Sequence, residues 1–238
     1  MVDADGSNRS SIPLAPAPAS PQFGREFVRD TPSLAPDGRH FAYVRAYGLQ
    51  SRLPEICVAS VDGTEDRRLR AGTSPRWSPD GRQIAFVAPP KNFYTPSQGE
   101  GPTWVMSAQT GRLVRRLSRR SLSGMDWSPD GRRLVASVGQ HLFIFRTHGA
   151  PARPRPVTTP ARRRSADLDA AWAPDGRRIA FVRHVDVRPF PNAEFDDQWE
   201  IWTISPRGTA ARRIWQRYDH YDSDRGGPDG LSWQALPR

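Results

Sequence analysis

Hydrophobic residues recur with period two in four short stretches of the chain. Phe41 and Tyr43, Ile84 and Phe86, Leu134 and Ala136, and Ile179 and Phe181 stand four and six residues past the turn aspartates Asp37, Asp80, Asp130 and Asp175. That alternation predicts strands with one buried face. Each stretch is followed by a second apolar run ending in glycine: "EICVASVDG" at Gly63, "TWVMSAQTG" at Gly111, "LFIFRTHG" at Gly149 and "EIWTISPRG" at Gly208. Beyond these glycines lie Leu69, Leu117, Val157 and Ile214, each marking a further strand. Each alternating stretch is preceded by a Trp-bearing or Leu-bearing strand and a tight turn, "LAPDG", "WSPDG", "WSPDG" and "WAPDG". In the turn, proline presets φ, aspartate follows, and glycine takes the positive φ that closes a hairpin. The turn residues are Asp37 with Gly38, Asp80 with Gly81, Asp130 with Gly131, and Asp175 with Gly176.

The turn aspartates are separated by 43, 50 and 45 residues, the length of a four-stranded unit. Four strands running from a Trp-bearing inner one to an Arg-bearing outer one describe a blade, and one blade cannot bury its own faces, so the copies must pack side by side. The expected fold is all-β: a β-propeller of four complete blades, about 31–72, 73–120, 121–160 and 165–217. A fifth, incomplete blade comes from the two termini. Residues 1–22 supply partial strands and a Pro/Ala-rich linker, residues 23–238 the propeller, and 231–236 a closing strand around Trp233, which follows Gly208 by 25 residues. Because this fifth blade lacks a second strand, the reading frame is expected to begin upstream of Met1.

The stretches "WSPDGRQIAF" (Trp77 to Phe86) and "WAPDGRRIAF" (Trp172 to Phe181) resemble the WD-like propeller repeats of TolB and its bacterial relatives. The resemblance covers nearly the whole chain and implies the propeller fold, protein partners and a cell-envelope setting. The related peptidases carry a separate catalytic domain beside their propeller, and the chain is expected to have no residues left to form one.

The sequence adds few chemical motifs. With one cysteine, Cys57, it has no intrachain disulfide and no Cys-based metal site. No G-x-S-x-G occurs, and the five histidines lack H-x-x-x-H or H-E-x-x-H spacing, so neither a serine elbow nor a histidine metal site is expected. Asp222, Asp224 and Gly226 resemble a calcium-loop fragment, but the glycine falls where a third oxygen ligand should stand. No cofactor is expected. The tryptophans at the inner-strand position read as blade packing, with Trp199 facing solvent. The net charge of +10 comes almost wholly from arginines spread over every copy, so nucleic-acid binding is kept only as a second alternative. The arginine pairs of the outer strands, such as Arg67 with Arg68, read as protection of sheet edges.

Loop length carries more. The longest insertions, 88–102, 184–198 and 216–230, all belong to connections that emerge on one face of such a propeller. That face is expected to bind a protein partner through Lys91, Phe93, Tyr94, Phe190, Phe195, Asp196, Asp197, Tyr218, His220, Tyr221 and Asp222. The sequence therefore predicts a monomeric, non-catalytic binding or scaffold module without a membrane span. It would be cytoplasmic if the given start is genuine, and periplasmic or secreted if an export signal lies upstream. The catalytic alternative is a propeller hydrolase or lyase with a site at the channel mouth, for which Asp222, His220 and Asp167 are the candidates.

Overall fold

A computed structural model of the chain describes residues 26–47, 53–90, 101–150, 152–159, 165–187 and 196–219. The described residues contain strands and no helix, in four antiparallel four-stranded sheets. The first holds β1 (Glu26–Leu34), β2 (His40–Tyr47), β3 (Glu55–Ser60) and β4 (Asp66–Ala71) in that order. The second holds β5 (Thr73–Trp77), β6 (Gln83–Val87), β7 (Thr103–Ser107) and β8 (Leu113–Ser118). β9 (Ser123–Trp127), β10 (Arg133–Val138), β11 (His141–Arg146) and the two-residue β12 (Arg155–Pro156) form the third. The fourth is β13 (Ser165–Trp172), β14 (Ile179–Val187), β15 (Asp196–Ile204) and β16 (Arg212–Asp219). The first two sheets lie in one compact unit, Met1–Arg119, and the last two in another, Arg120–Arg238. Each sheet is a β-propeller blade. The strand expected over 231–236 and the partial strands of residues 1–22 lie outside the described residues.

The four PDG turns share one geometry. In the second, Ser78 donates its N–H to the Gln83 carbonyl at 2.8 Å, and Gly81 donates to Ser78 at 3.0 Å with φ of 74°. That left-handed conformation is routine for glycine and costly for residues with a Cβ. The aspartate accepts the N–H two residues on: Asp37 from Arg39 at 2.8 Å, Asp80 from Arg82 at 3.1 Å, Asp130 from Arg132 at 3.0 Å and Asp175 from Arg177 at 2.9 Å. Where serine precedes the proline, its hydroxyl also donates to the carboxylate, from Ser78 to Asp80 at 2.6 Å and from Ser128 to Asp130 at 2.5 Å.

Within each unit the sheets bury their facing sides. In the first, Ala42, Ile56 and Val58 pack against Ile84, Phe86 and Met106, with Trp77 and Trp104 on the flank. In the second, Val135, Leu142 and Ile144 pack against Trp172, Ile179 and Phe181. Two polar devices add register. The N–H of the incoming tryptophan donates to a side chain of the preceding inner strand: Trp77 to Ser33 Oγ at 2.9 Å, and Trp172 to Asp126 Oδ2 at 2.6 Å. The outer-strand arginines reach the turn after the third strand of the neighbouring sheet: Arg67 bonds the carbonyls of Ala108 and Gln109, Arg70 that of Gly111, and Arg155 that of Pro206. These arginines tie sheet to sheet, a role beyond the edge protection read from their sequence.

Candidate functional site

The insertion expected over 184–198 is strand at both of its ends. β14 continues to Val187 and β15 starts at Asp196, with Val187 opposite Asp196 and Asp186 opposite Asp197. β16 runs to Asp219, placing Tyr218 opposite Gln198 and Asp219 opposite Asp197. Asp196, Asp197 and Tyr218 are therefore strand residues at the loop-bearing end of the fourth sheet, not loop residues. Lys91, Phe93, Tyr94, Phe190, Phe195, His220, Tyr221 and Asp222 lie outside the described residues.

Below that end, a row of polar side chains crosses all four strands. Asp167 on β13 is fully buried, and Arg183 on β14 grips both its oxygens, Nε to Oδ1 at 2.6 Å and an NH2 nitrogen to Oδ2 at 3.0 Å. The guanidinium also lies 5.0 Å from the ring centre of Trp202 and 5.4 Å from that of Phe181, where a delocalised cation is attracted to the ring faces. Trp202 Nε1 donates to Glu200 Oε2 at 2.7 Å, and Arg213 on β16 bonds Glu200 Oε1 at 2.9 Å. Gln198 also donates to Oε1. Above the row, His184 and the half-buried Trp199 stack with ring centres 4.5 Å apart. Trp199 therefore does not stand free in solvent as its sequence position suggested, because the extended hairpin carries it inside β15.

Asp167 was the one candidate of the catalytic alternative within the described residues. Its carboxylate is withdrawn from chemistry on both oxygens, and it acts as the buried counter-ion of Arg183.

The first sheet carries a related network. Tyr43 donates its hydroxyl to Asp66 Oδ1 at 2.9 Å, and Arg45 bonds both Asp66 Oδ2 at 2.6 Å and the Tyr43 oxygen at 2.8 Å. Burial pushes the Tyr43 phenol well above its ordinary range. Burial likewise pushes the neighbouring Cys57 thiol up to about 11, so it is a packed hydrophobe and not a nucleophile. Arg45 and Arg183 share one repeat position, eight residues past Asp37 and Asp175, where the middle copies have Ala88 and Val138. That contrast was the sequence signal for both networks. Among the described residues, no group of three or more His, Cys, Asp or Glu side chains is placed to hold a metal ion, and no helix is long and apolar enough to cross a membrane.

No protein-family model matches the chain. By sequence it is similar to a Bacillus subtilis (strain 168) protein named "Uncharacterized peptidase YuxL", with 32% identity over 121 residues, 45% of this chain and 17% of that protein. By structure it is similar to TolB from Acinetobacter baumannii, with a TM-score of 0.55, 15% identity, and coverage of 87% of this chain and 56% of that one. It is also similar to the Pyrococcus horikoshii acylaminoacyl peptidase, with a TM-score of 0.54, 16% identity, and coverage of 82% and 34%. The chain thus spans less than two thirds of each of these proteins. An oligogalacturonate lyase solved with manganese also shares the fold, at 14% identity.

These likenesses correct the expectation of a non-catalytic binding or scaffold module. The sequence relative is named a peptidase, and proteins sharing the fold include acylaminoacyl peptidases and oligogalacturonate lyase. Absence of a catalytic motif from the repeats misled, because the repeat encodes the scaffold and is silent on the chemistry it serves. The chain folds as a TolB-like β-propeller.

Proposed function

We propose that the chain serves peptide hydrolysis as the propeller of a peptidase. The observation that carries this reading is the 32% identity over 121 residues to a protein named as a peptidase. In this reading the propeller contributes a rigid frame and an entrance. The buried ion pair and the charge row stiffen the fourth sheet beneath its loop-bearing end. The loops expected from the sequence over 88–102, 184–198 and 216–230, with Phe93, Tyr94, Phe195 and Tyr221, meet the peptide before it is cut. Aromatic and charged side chains on loops over a rigid scaffold suit an extended peptide, whose backbone groups and side chains both need partners.

The test is hydrolysis by the protein recovered from its native cells with everything joined or bound to it. Release of p-nitroaniline from aminoacyl and N-acetyl-aminoacyl anilides is the expected result. Absence of turnover on both series, with a correctly folded protein, overturns the proposal.

A further inference from the structure

Arginines of the first unit converge on the turn between β7 and β8, residues 108–112. Arg67 on β4 donates to the carbonyls of Ala108 at 2.9 Å and Gln109 at 2.8 Å. Further along β4, Arg70 donates to the Gly111 carbonyl at 2.8 Å, and its guanidinium lies 5.8 Å from the ring centre of Phe86. Leu69, beside Arg70, presses so close that a Cβ on Gly111 would stand 3.0 Å from the Leu69 carbonyl oxygen. Arg112 follows Gly111 directly and is exposed.

Carbonyl oxygens hold these guanidiniums without cancelling their charge. The carboxylates of β3, β4 and the turn joining them are engaged elsewhere: Glu55 with Arg68 at 2.7 Å, Asp66 with Arg45 at 2.6 Å, Asp62 with Thr64 at 2.8 Å, and Glu65 toward His40 at 3.7 Å. β7, β8 and their turn contain no Asp or Glu. Among the described residues, no carboxylate pairs with Arg67, Arg70 or Arg112. Nor does the fold require the group. In the corresponding seam of the second unit a Cβ on Gly208 would meet the Val157 carbonyl oxygen at 2.8 Å, and Arg155 bonds the Pro206 carbonyl as Arg67 bonds that of Gln109. There Thr158 and Thr209 stand where the first unit has Arg70 and Arg112. The seam thus closes without the two further arginines.

We infer that Arg67, Arg70 and Arg112 form a binding site for a multiply charged oxyanion of the phosphate class. A guanidinium presents its N–H donors in a planar fork, so Arg67 and Arg70 keep donors to spare after their carbonyl bonds, and the fork matches the oxygens of a phosphate or carboxylate. Charge decides between the two. An exposed pair with a single carboxylate is worth little, whereas a phosphate monoester brings ~1.5–2 negative charges and several acceptor oxygens to the cluster. The carbonyl bonds and the Phe86 ring hold Arg67 and Arg70 in place before anything binds, which lowers the ordering cost of binding. The site sits at the turn end of the sheet, opposite the end that carries the 88–102 connection, and so does not depend on the peptidase reading.

Isothermal titration of the full chain with inorganic pyrophosphate tests the site. At ~0.15 M salt, pyrophosphate should bind with a dissociation constant on the order of 1 mM or tighter. Arg112→Gln should weaken binding about fivefold or more with no change in melting temperature, because Arg112 is exposed and the bonds of the seam come from Arg67 and Arg70. Arg146→Gln removes the same charge from an exposed position on β11 and should leave binding unchanged. Arg70→Gln should weaken binding as well, and if that chain loses its fold, Arg112→Gln decides. Vesicles containing phosphatidic acid distinguish the source of the phosphate. Vesicle binding that Arg112→Gln removes assigns it to a lipid headgroup, and pyrophosphate binding without vesicle binding assigns it to a soluble ligand. Absence of pyrophosphate binding overturns the inference. So does equal weakening by Arg112→Gln and Arg146→Gln, which diffuse attraction to a chain of net charge +10 would produce.

Discussion

Replacing Asp167 by Asn removes a charge and leaves its shape almost unchanged. In the native chain both carboxylate oxygens face Arg183, at 2.6 and 3.0 Å, with Asp167 fully buried and the Arg183 side chain 13% exposed. The asparagine amide can accept one of those bonds at most, and its NH2 group would confront the guanidinium. Arg183 would stay charged and mostly buried among Phe181, Trp202 and the mutated site. Breaking one side of a buried pair costs about 3–5 kcal/mol, because an uncompensated charge remains in place. For a chain of this size about 1 kcal/mol moves the melting temperature by roughly 2–4 °C, so a fall of roughly 6–20 °C is expected. The double variant Asp167→Asn with Arg183→Met removes the stranded charge and should recover much of the loss. Thermal melting followed by circular dichroism measures all three chains. A fall below about 1 kcal/mol, or a double variant no more stable than Asp167→Asn alone, would refute the buried-pair account. A melting temperature left unchanged, with peptide hydrolysis abolished, would return Asp167 to the catalytic role the geometry denies it.

Other positions give sharper local tests. A Cβ on Gly124, at φ of 52°, would meet the Asp169 backbone N at 2.7 Å, whereas one on Gly139, at φ of 62°, meets nothing within 4 Å. Gly124→Ala should therefore cost about 1–3 kcal/mol more than Gly139→Ala in urea unfolding, and equal costs would contradict the packing. At Asp80, burial works to raise the carboxyl, but the Ser78 hydroxyl and the Arg82 N–H outweigh it and hold it below its usual value of 3.8. A depressed folded-state value means the contribution is present above the unfolded value and disappears as pH falls through the folded one. Asp80→Asn should accordingly flatten the acid side of the stability profile below about pH 4 and leave its neutral limb parallel to the parent's. Cys57, with its thiol pushed up to about 11 by burial, should react with Ellman's reagent only at the rate of global unfolding, and stoichiometric labelling of the native chain at pH 8 would contradict its placement.

The four-blade core was legible because its signal is local and repeated. Proline, aspartate and glycine at fixed offsets determine a turn without reference to anything distant, and the apolar run after each turn marks a strand. The single buried face expected of that strand is corrected by the sheets, where Ala42, Ala85, Val135 and Ala180 are buried along with Phe41, Ile84, Leu134 and Ile179. The charge row was not legible in the same way. Asp167, Arg183, Glu200 and Arg213 are charged residues well apart in sequence, with no spacing that ties them together, and only Asp167 stood out, as a candidate of the catalytic alternative. Their meeting depends on the register of three strand pairs, and a shift of one residue would put them on the opposite face. The fourth-sheet hairpin was misread because Pro189 and Pro191 mark a loop, while the strands on either side pair for several residues beyond the positions the repeat required. The outer-strand arginines look the same in sequence whether they face solvent or hold a neighbouring turn. Only the approach of the Ala108, Gln109 and Pro206 carbonyls separates the two roles. For function, the repeat motifs spoke for the scaffold alone, so the chemistry had to be approached through a relative.

The central claim is the proposal that this chain serves peptide hydrolysis as the propeller of a peptidase. The most direct measurement is kcat/KM for a peptide anilide with the native protein and with a form carrying Phe93→Ser, Tyr94→Ser, Phe195→Ser and Tyr221→Ser. The account predicts measurable hydrolysis by the native protein and a loss of about tenfold or more in the variant, with the melting temperature within a few degrees of the parent. Undetectable hydrolysis by the native protein, or full activity in the variant, would contradict it.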